Sequence, residues 1–379
     1  MRIVCIRSNP VAPYPRLEKM VNSLAKNGHN VHVLAWDRSQ KYNCKSSLLN
    51  LTDSKVPITR FGIPGKFGGG FKQNAYSLLK FQIKIFLWLF KNRNSYDVIH
   101  AYDFDTGYTA LKCAKLFKKK LVYDIPDYYI DSHGLKGSNI GEYVQKSENN
   151  IINKADAVII CTEKRKEQIA GTNPRRLVII HNSPVSIQIQ EELTTETLNE
   201  NNNKLKIVYV GILAHSRFIK EIADIVIKRR DCEFHIGGFG ELENYFRELS
   251  IENDNIYFYG KIPYNETIEL EKKCDVITAI YDPRVPNHYY AAPNKFYEAL
   301  MLGKPLIMAK DTGLDEVVKI NEIGEIIDYS VESLNEAIEL LNNNRDKWKL
   351  ISQKAKALYM KNYSWEIMEK RIVDLYENL

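Results

Sequence analysis

The chain has 379 residues, 44% apolar and 26% charged, with 53 Lys and Arg against 47 Asp and Glu for a formal net charge of +6. That is a globular composition long enough for two cores, and it excludes a disordered or fibrous chain. No apolar run approaches the roughly 20 residues that cross a bilayer. Ile3 to Ile6 is too short a run for a signal peptide.

The first half alternates short β-branched runs with helical patterns. Ile3–Arg7 reads as a strand and Pro15–Asn27 as a helix that stops at Gly28. Val31–Trp36 and Lys55–Phe61 are the next strands, and Ala75–Asn92 is a long helix. Val98–Ala101, Leu121–Asp124, Ala157–Cys161 and Val178–His181 are further strands, separated by helical stretches at Gly107–Phe117, Glu142–Asn153 and Glu163–Ala170. Residues Gln188 to Lys204 are rich in Glu, Asn and Thr and read as a linker.

A second alternating set follows. Its strands are Ile207–Val210, Glu233–Ile236, Ile256–Tyr259, Val276–Ile280 and Pro305–Met308. Its helices are Phe218–Lys228, Leu242–Leu249, Asn265–Lys273 and Asn294–Leu302, followed by Val331–Asn342, Asp346–Met360 and Trp365–Glu377. Strand–helix alternation predicts parallel sheets covered on both faces. The order predicts an α/β chain of two doubly wound domains with a cleft between them, ligands sitting beyond the carboxyl ends of the strands.

The six cysteines are scattered and form no Cys-x-x-Cys pair, so neither a zinc site nor a disulfide framework is indicated, and a reducing cytoplasm is the simplest home. Charge is divided unevenly. Residues 1–185 hold 29 Lys and Arg against 14 Asp and Glu, a balance of +15, which leaves −9 on residues 186–379. A basic half suits an anionic partner or surface. Within it, the 75–92 helix is aromatic and lysine-rich, a composition that suits an anionic membrane, although apolar residues surround so much of it that a core helix is the simpler reading.

The most informative stretch is Pro293-Asn294-Lys295-Phe296-Tyr297-Glu298-Ala299-Leu300, followed by Met301-Leu302-Gly303-Lys304-Pro305. Pro293 suits a helix start, and Gly303 with Pro305 a helix stop. Lys295 and Glu298, three apart, share a helix face. They are either a surface ion pair or a carboxylate placed to accept from two vicinal hydroxyls. Glycine turns end two strands, at Tyr209-Val210-Gly211 and at Ile236-Gly237-Gly238. No Gly-x-Gly-x-x-Gly follows the first strand, which argues against a nicotinamide dehydrogenase.

Taken together these segments resemble the large retaining glycosyltransferase family with the GT-B fold, the family 4 or group 1 transferases, in a subgroup with a Pro-Asn-Lys-x-x-Glu site. Glu298, Gly303, Lys304 and Pro305 match its nucleotide-sugar segment, and Asp311 to Val318 its "gly-leu-x-glu-val" turn. Asn9–Trp36 resembles its start, and Tyr363-Ser364-Trp365-Glu366 the start of its last helix. The resemblance implies two Rossmann-like domains facing an interdomain cleft: an acceptor domain over 1–187, a linker over 188–204, a nucleotide-sugar domain over 205–360, and a C-terminal helix over 361–379 crossing back to the first domain.

It implies donor binding by Gly211, Arg217, Lys220, Gly238, Tyr290, Ala291, Ala292, Lys295 and Glu298, acceptor binding by Arg16, Asp103 and Asp127, and catalytic parts for Arg217, Glu298 and Asp127. Two departures stand out. The glutamate usual eight positions before Glu298 is Tyr290, and the histidine usual in the "val-tyr-asp" segment is Pro126, with His133 a substitute of unknown position.

The implied reaction moves a sugar, with retention, from a nucleotide-sugar donor to a saccharide or lipid-linked acceptor in surface polysaccharide or glycan synthesis. Neither metal nor cofactor is expected, nor a nucleic-acid partner. The implied place is the cytoplasm, with peripheral contact at the inner face of an anionic membrane. A nucleotide-sugar epimerase on the same fold and a noncatalytic GT-B scaffold are the alternatives.

Overall fold

The computed structural model describes residues 1–66, 70–185 and 204–379. The expected linker, 188–204, lies almost wholly outside them. The chain divides into one unit of Met1–His181 with Ile367–Leu379 and a second of Asn182–Glu366.

In the first unit the strands are β1 (Arg2–Arg7), β2 (Asn30–Asp37), β3 (Tyr42–Asn50), β4 (Lys55–Gly62), β5 (Val98–Tyr102), β6 (Lys120–Ile125), β7 (Ala157–Ile160) and β8 (Leu177–Ile179). They form one sheet in the order β3-β4-β2-β1-β5-β6-β7-β8. Every pairing is parallel except that of β3 with β4. The central strands are buried on both faces, which is why they read as unbroken apolar runs. β3 escapes that signature: it is an edge strand, mostly exposed, with the polar sequence YNCKSSLLN. The helix expected at 107–117 begins at Asp103, whose positive φ of 58° turns the chain directly out of β5. Only a 3-10 turn, Glu163–Lys166, forms in the stretch expected to be helical after β7, and Arg165 within it points inward.

Within this unit the last helix, Trp365–Glu377, closes the core with its residues from Ile367 onward. Arg371 donates to the Ile179 carbonyl (2.9 Å), Arg176 to the Leu375 carbonyl (3.2 Å), and the Tyr376 hydroxyl meets His100 Nδ1 at 2.7 Å.

The second unit holds a six-stranded parallel sheet of β9 (Leu205–Ile212), β10 (Cys232–Phe239), β11 (Ile256–Phe258), β12 (Val276–Ala279), β13 (Leu306–Ala309) and β14 (Gly324–Ile327), ordered β11-β10-β9-β12-β13-β14. Alternation along β9 feeds two cores. Ile207 and Tyr209 pack with the helices 219–227 and 331–343, while Val208 packs with Phe296, Tyr297 and Tyr359. The helix Asn294–Leu302 starts after Pro293 and stops at Gly303 with φ 68°, as its flanking residues predict. Every residue from Lys295 to Leu302 is buried, so Lys295 and Glu298 are not a surface pair. Two doubly wound α/β units with this element order constitute the GT-B fold.

One buried acid in the first unit gives a stability signature. Glu148 is fully buried, its Oε1 accepts from the Tyr123 hydroxyl (2.7 Å), and its Oε2 has no partner. Burial pushes its carboxyl up to about 8. Between the ordinary carboxylate range and about pH 8 the folded chain therefore holds a proton that the unfolded chain has released, so this group's contribution to stability falls as pH rises through that window. Glu148→Gln keeps the acceptor for Tyr123 and removes the titration. Thermal melts from pH 5 to pH 9 are expected to show the variant gaining on the parent as pH rises, and parallel curves would contradict the buried-acid assignment.

Candidate functional site

β9 ends in Tyr209-Val210-Gly211-Ile212, and the chain then makes a 3-10 turn at His215–Arg217 before the helix Ile219–Ile227. Phe218 between them has a φ of 57°, a left-handed break that separates Arg217 from the helix after it. The Tyr209 hydroxyl donates to the Ile212 carbonyl (2.7 Å) and so holds the strand end closed. Against this corner the helix Asn294–Leu302 presents Lys295, whose Nζ stands 4.3 Å from the Tyr209 ring centroid. A Cβ added at Gly211 would come within 2.8 Å of that Nζ. Gly211 and Lys295, far apart in sequence, thus meet.

Lys295 is 7% exposed. Burial works against its charge, but Tyr209, Tyr281, Glu298 and Glu271 more than offset it and hold its pKa above the usual value. Glu298 is 3% exposed, and the Tyr264 hydroxyl hydrogen-bonds its carboxylate. Glu271, fully buried with neither oxygen hydrogen-bonded, is pushed well above the carboxylate range by burial and by the neighbouring Glu298. Two carboxyls beside one cation cannot both ionise cheaply.

Arg217 is fixed by three neighbours. Its guanidinium lies over the Tyr281 ring (3.9 Å to the centroid), Nη1 meets His288 Nε2 at 2.9 Å, and a side-chain hydrogen bond reaches Tyr209. His288 Nδ1 lies 2.8 Å from the Asp282 carbonyl. A carbonyl only accepts, so Nδ1 carries the proton and Nε2 accepts from Arg217. The Asp282 N–H donates to the Ser216 carbonyl (3.0 Å), which ties this loop to the one bearing Arg217. Sequence reasoning missed His288, Tyr281, Tyr264 and Glu271. Nothing in a single chain signals that residues 217 and 288 touch.

Other expected donor residues take different places. Lys220 is on the helix after the break, and its Nζ lies over the Tyr245 ring (4.5 Å) instead of turning to Gly211. Gly238 has a φ of 138°, and a Cβ there would meet the Gly211 carbonyl oxygen at 1.8 Å, so it serves the close approach of β9 and β10. Tyr290 packs edge-on against Tyr289 (4.9 Å). The Ala291 N–H, expected to face the donor, donates instead to the His288 carbonyl (3.0 Å), and the Ala292 carbonyl accepts from Asn182 (3.2 Å).

In the first unit, Arg16, expected at the acceptor, is buried and spent inside the fold. Its Nη2 and Nε meet the Asp124 carboxylate at 2.8 and 3.2 Å, and Nη1 donates to the Ile180 carbonyl (2.7 Å). Burial opposes ionisation of Asp124, but Arg16 and His100 outweigh it and hold its carboxyl below the usual range. Asp103 is ion-paired with Arg7 and its side chain is 16% exposed, which leaves little of the carboxylate to meet an acceptor. Asp127 accepts from Arg165 Nη2 (2.8 Å) yet keeps a side chain 53% exposed. His133 stacks on Tyr129, with ring centroids 3.9 Å apart. Asp105, which the sequence did not single out, gathers the Ser8 hydroxyl (3.0 Å) and the Tyr129 hydroxyl (2.6 Å). Among the described residues no group of three or more His, Cys, Asp or Glu side chains could hold a metal ion.

Comparison with known proteins covers both units. Residues 16–183 match the family model Glycosyltransferase Family 4, and residues 190–358 match Glycosyl transferases group 1. An uncharacterized glycosyltransferase of Methanocaldococcus jannaschii is 23% identical over 242 residues, and the matched part spans 60% of each chain. Sucrose-phosphate synthase from Thermosynechococcus elongatus shares the fold with a TM-score of 0.78 at 15% identity, over 100% of this chain and 98% of that one. Anabaena HepE in complex with UDP does so with a TM-score of 0.70 at 16% identity, over 100% of both.

The two glycines at the strand ends separate packing from site. Gly238→Ala drives a methyl into backbone that cannot yield and should cost about 3 kcal/mol or more. Gly211→Ala meets only the flexible tip of Lys295 and should fold nearly as well as the parent. Thermal melting of the two variants checks this, and equal midpoints would contradict it.

Proposed function

We propose that this chain, with glycosyltransferase family matches in both halves and a GT-B fold, transfers a sugar from a nucleotide-sugar donor to a saccharide or lipid-linked saccharide, retaining the anomeric configuration. One observation carries the reading: two cations, Lys295 and Arg217, are gathered on Tyr209 and Tyr281 where β9 ends at Gly211. A diphosphate is the ligand such a corner suits, because paired cations beside a closely approachable backbone stabilise its charge. The solved complexes of HepE with UDP and with UDP-glucose support a uridine-type donor.

In this reading Arg217 and Lys295 hold the diphosphate and stabilise the charge that develops as the bond from the sugar C1 to the phosphate oxygen breaks. The acceptor oxygen bonds C1 on the same face, and its proton passes to the departing phosphate oxygen. Glu298 accepts the ribose hydroxyls, which requires the Tyr264 hydroxyl to share or release the carboxylate. Tyr290 stands where the family's first glutamate would contact the donor sugar, so sugar recognition falls to other groups of the 281–292 loop. Asp127, the most exposed of the three expected acceptor residues, is assigned to the acceptor hydroxyl. Turnover without a metal belongs to the same proposal, as does a place in surface polysaccharide or glycan synthesis at the inner face of a membrane.

Glu298→Ala should weaken UDP binding by about tenfold or more in calorimetry, since hydrogen bonds to a charged group are lost. Unchanged affinity in a folded variant would remove the ribose role. Arg217→Ala should cost about 100-fold or more in turnover. A panel of nucleotide sugars assayed for donor hydrolysis tests the function itself: epimerisation would favour the isomerase alternative, and no binding or turnover anywhere would favour a scaffold. The same panel run in excess EDTA should give unchanged rates, and loss of activity restored by a divalent cation would overturn the metal-free assignment.

A further inference from the structure

The long helix Gly70–Lys91 buries one apolar stripe and exposes another. Phe81, Ile85 and Leu89 are fully buried against the sheet. At about 100° per residue, Tyr76, Leu79, Ile83, Phe86, Leu87 and Phe90 fall together on the opposite side, and all six are exposed, Tyr76 at 69% and Leu79 at 58%. Six large side chains in one row exceed the scattered apolar residues usual on a surface.

The row continues onto the neighbouring helix, Asp103–Phe117. Phe86 and Phe90 pack against Phe117 (6.4 and 6.0 Å), and Leu116 beyond it is 63% exposed. At this end lies an open depression of about 420 Å³, lined by Phe90, Leu116 and Phe117 and by three cations, Arg93, Lys118 and Lys119.

Charge identifies the occupant. The sequence has no Asp or Glu between Asp53 and Asp97, nor between Asp105 and Asp124, so both helices bear cations alone beyond Asp105. Lys80 flanks the apolar row over Tyr76 (4.3 Å), and Arg93 closes it over Phe90 (4.9 Å). Asp97, at the near end of β5, is already bound by Arg2 (2.5 Å). An apolar row edged by cations, with a cationic depression at its end, matches the boundary between acyl chains and phosphate headgroups.

We propose that this face seats on an anionic lipid bilayer, the row from Leu79 to Phe90 entering the acyl boundary and Arg93, Lys118 and Lys119 meeting lipid phosphates. The face spans no membrane: no described helix is long and apolar enough to cross one. The assignment stands on this surface and does not require the transferase reading.

The test is co-sedimentation of the full chain with vesicles of phosphatidylcholine alone or with 30 mol% phosphatidylglycerol (about one lipid in three, enough to give a strong surface potential). Binding to the anionic vesicles, weak binding to the neutral ones, and weakening in high salt are expected. Leu79→Ser with Leu87→Ser should abolish binding while leaving the thermal midpoint and UDP affinity unchanged, because both side chains are exposed. Arg93→Glu with Lys118→Glu should weaken it by about fivefold or more for each reversed charge. Equal binding to both vesicle types, none to either, or indifference to these variants would overturn the proposal. So would a concentration-dependent dimer that the serine variant dissolves while vesicles are ignored, since the face would then belong to a second copy.

Discussion

A buried lysine sets the terms for the end of β9 in the second unit. Taking an ammonium out of water is costly unless its surroundings replace the lost hydration. Around Lys295 they do so with the face of Tyr209, the neighbouring Tyr281 and the carboxyl groups of Glu298 and Glu271. Much else follows from that requirement. The helix must be buried all round to bring Lys295 under the end of β9, and the glycine at 211 leaves the ammonium the space it occupies. Ionisation of Glu271 is opposed, because it is buried beside Glu298 and one cation does not balance two anions in a dry site.

The two arginine sites show what distinguishes a structural cation from one that can serve a ligand. Arg16 gives a bidentate contact to buried Asp124 and its remaining edge to the Ile180 carbonyl, so exchanging a partner would leave a buried carboxylate unpaired. Arg217 has no carboxylate among its named partners. An aromatic face, an imidazole nitrogen and a phenol hold its position without neutralising its charge. A guanidinium so oriented keeps its full charge for an incoming anion.

Much of this was legible in the sequence, and the exceptions have physical causes. Strands buried on both faces announce themselves as β-branched runs, and the Pro293–Gly303 helix is bounded by its own punctuation. The edge strand Tyr42–Asn50 buries almost nothing and so carries no apolar pattern. Lys220 is parted from Arg217 by Phe218, where a positive φ resets the direction of the chain, and no residue type in this stretch signals that break. Lys295 and Glu298 were legible as neighbours on one helix face, but their burial was not, since it depends on what packs over the helix. His288 and Glu271 enter the site only through long-range contacts, which leave no local trace. The 75–92 helix was legible as apolar all round, and the inference from that to a fully buried helix failed because two apolar stripes can face opposite ways.

The charge asymmetry between the halves also gains a location. Five acids of the first unit are engaged by its own cations: Asp97 by Arg2, Asp103 by Arg7, Asp124 by Arg16, Asp127 by Arg165, and Asp156 by Lys120 and Arg175. Such pairs cancel locally and contribute little to the field at a distance. The excess of +15 on residues 1–185 includes surface lysines on the acid-free stretches, among them Lys80, Lys112, Lys115 and Lys118, all exposed. A uniformly basic unit would attract any polyanion. One whose cations border a row of exposed leucine, isoleucine and phenylalanine discriminates, because only a surface that is both anionic and apolar within a few ångströms satisfies both.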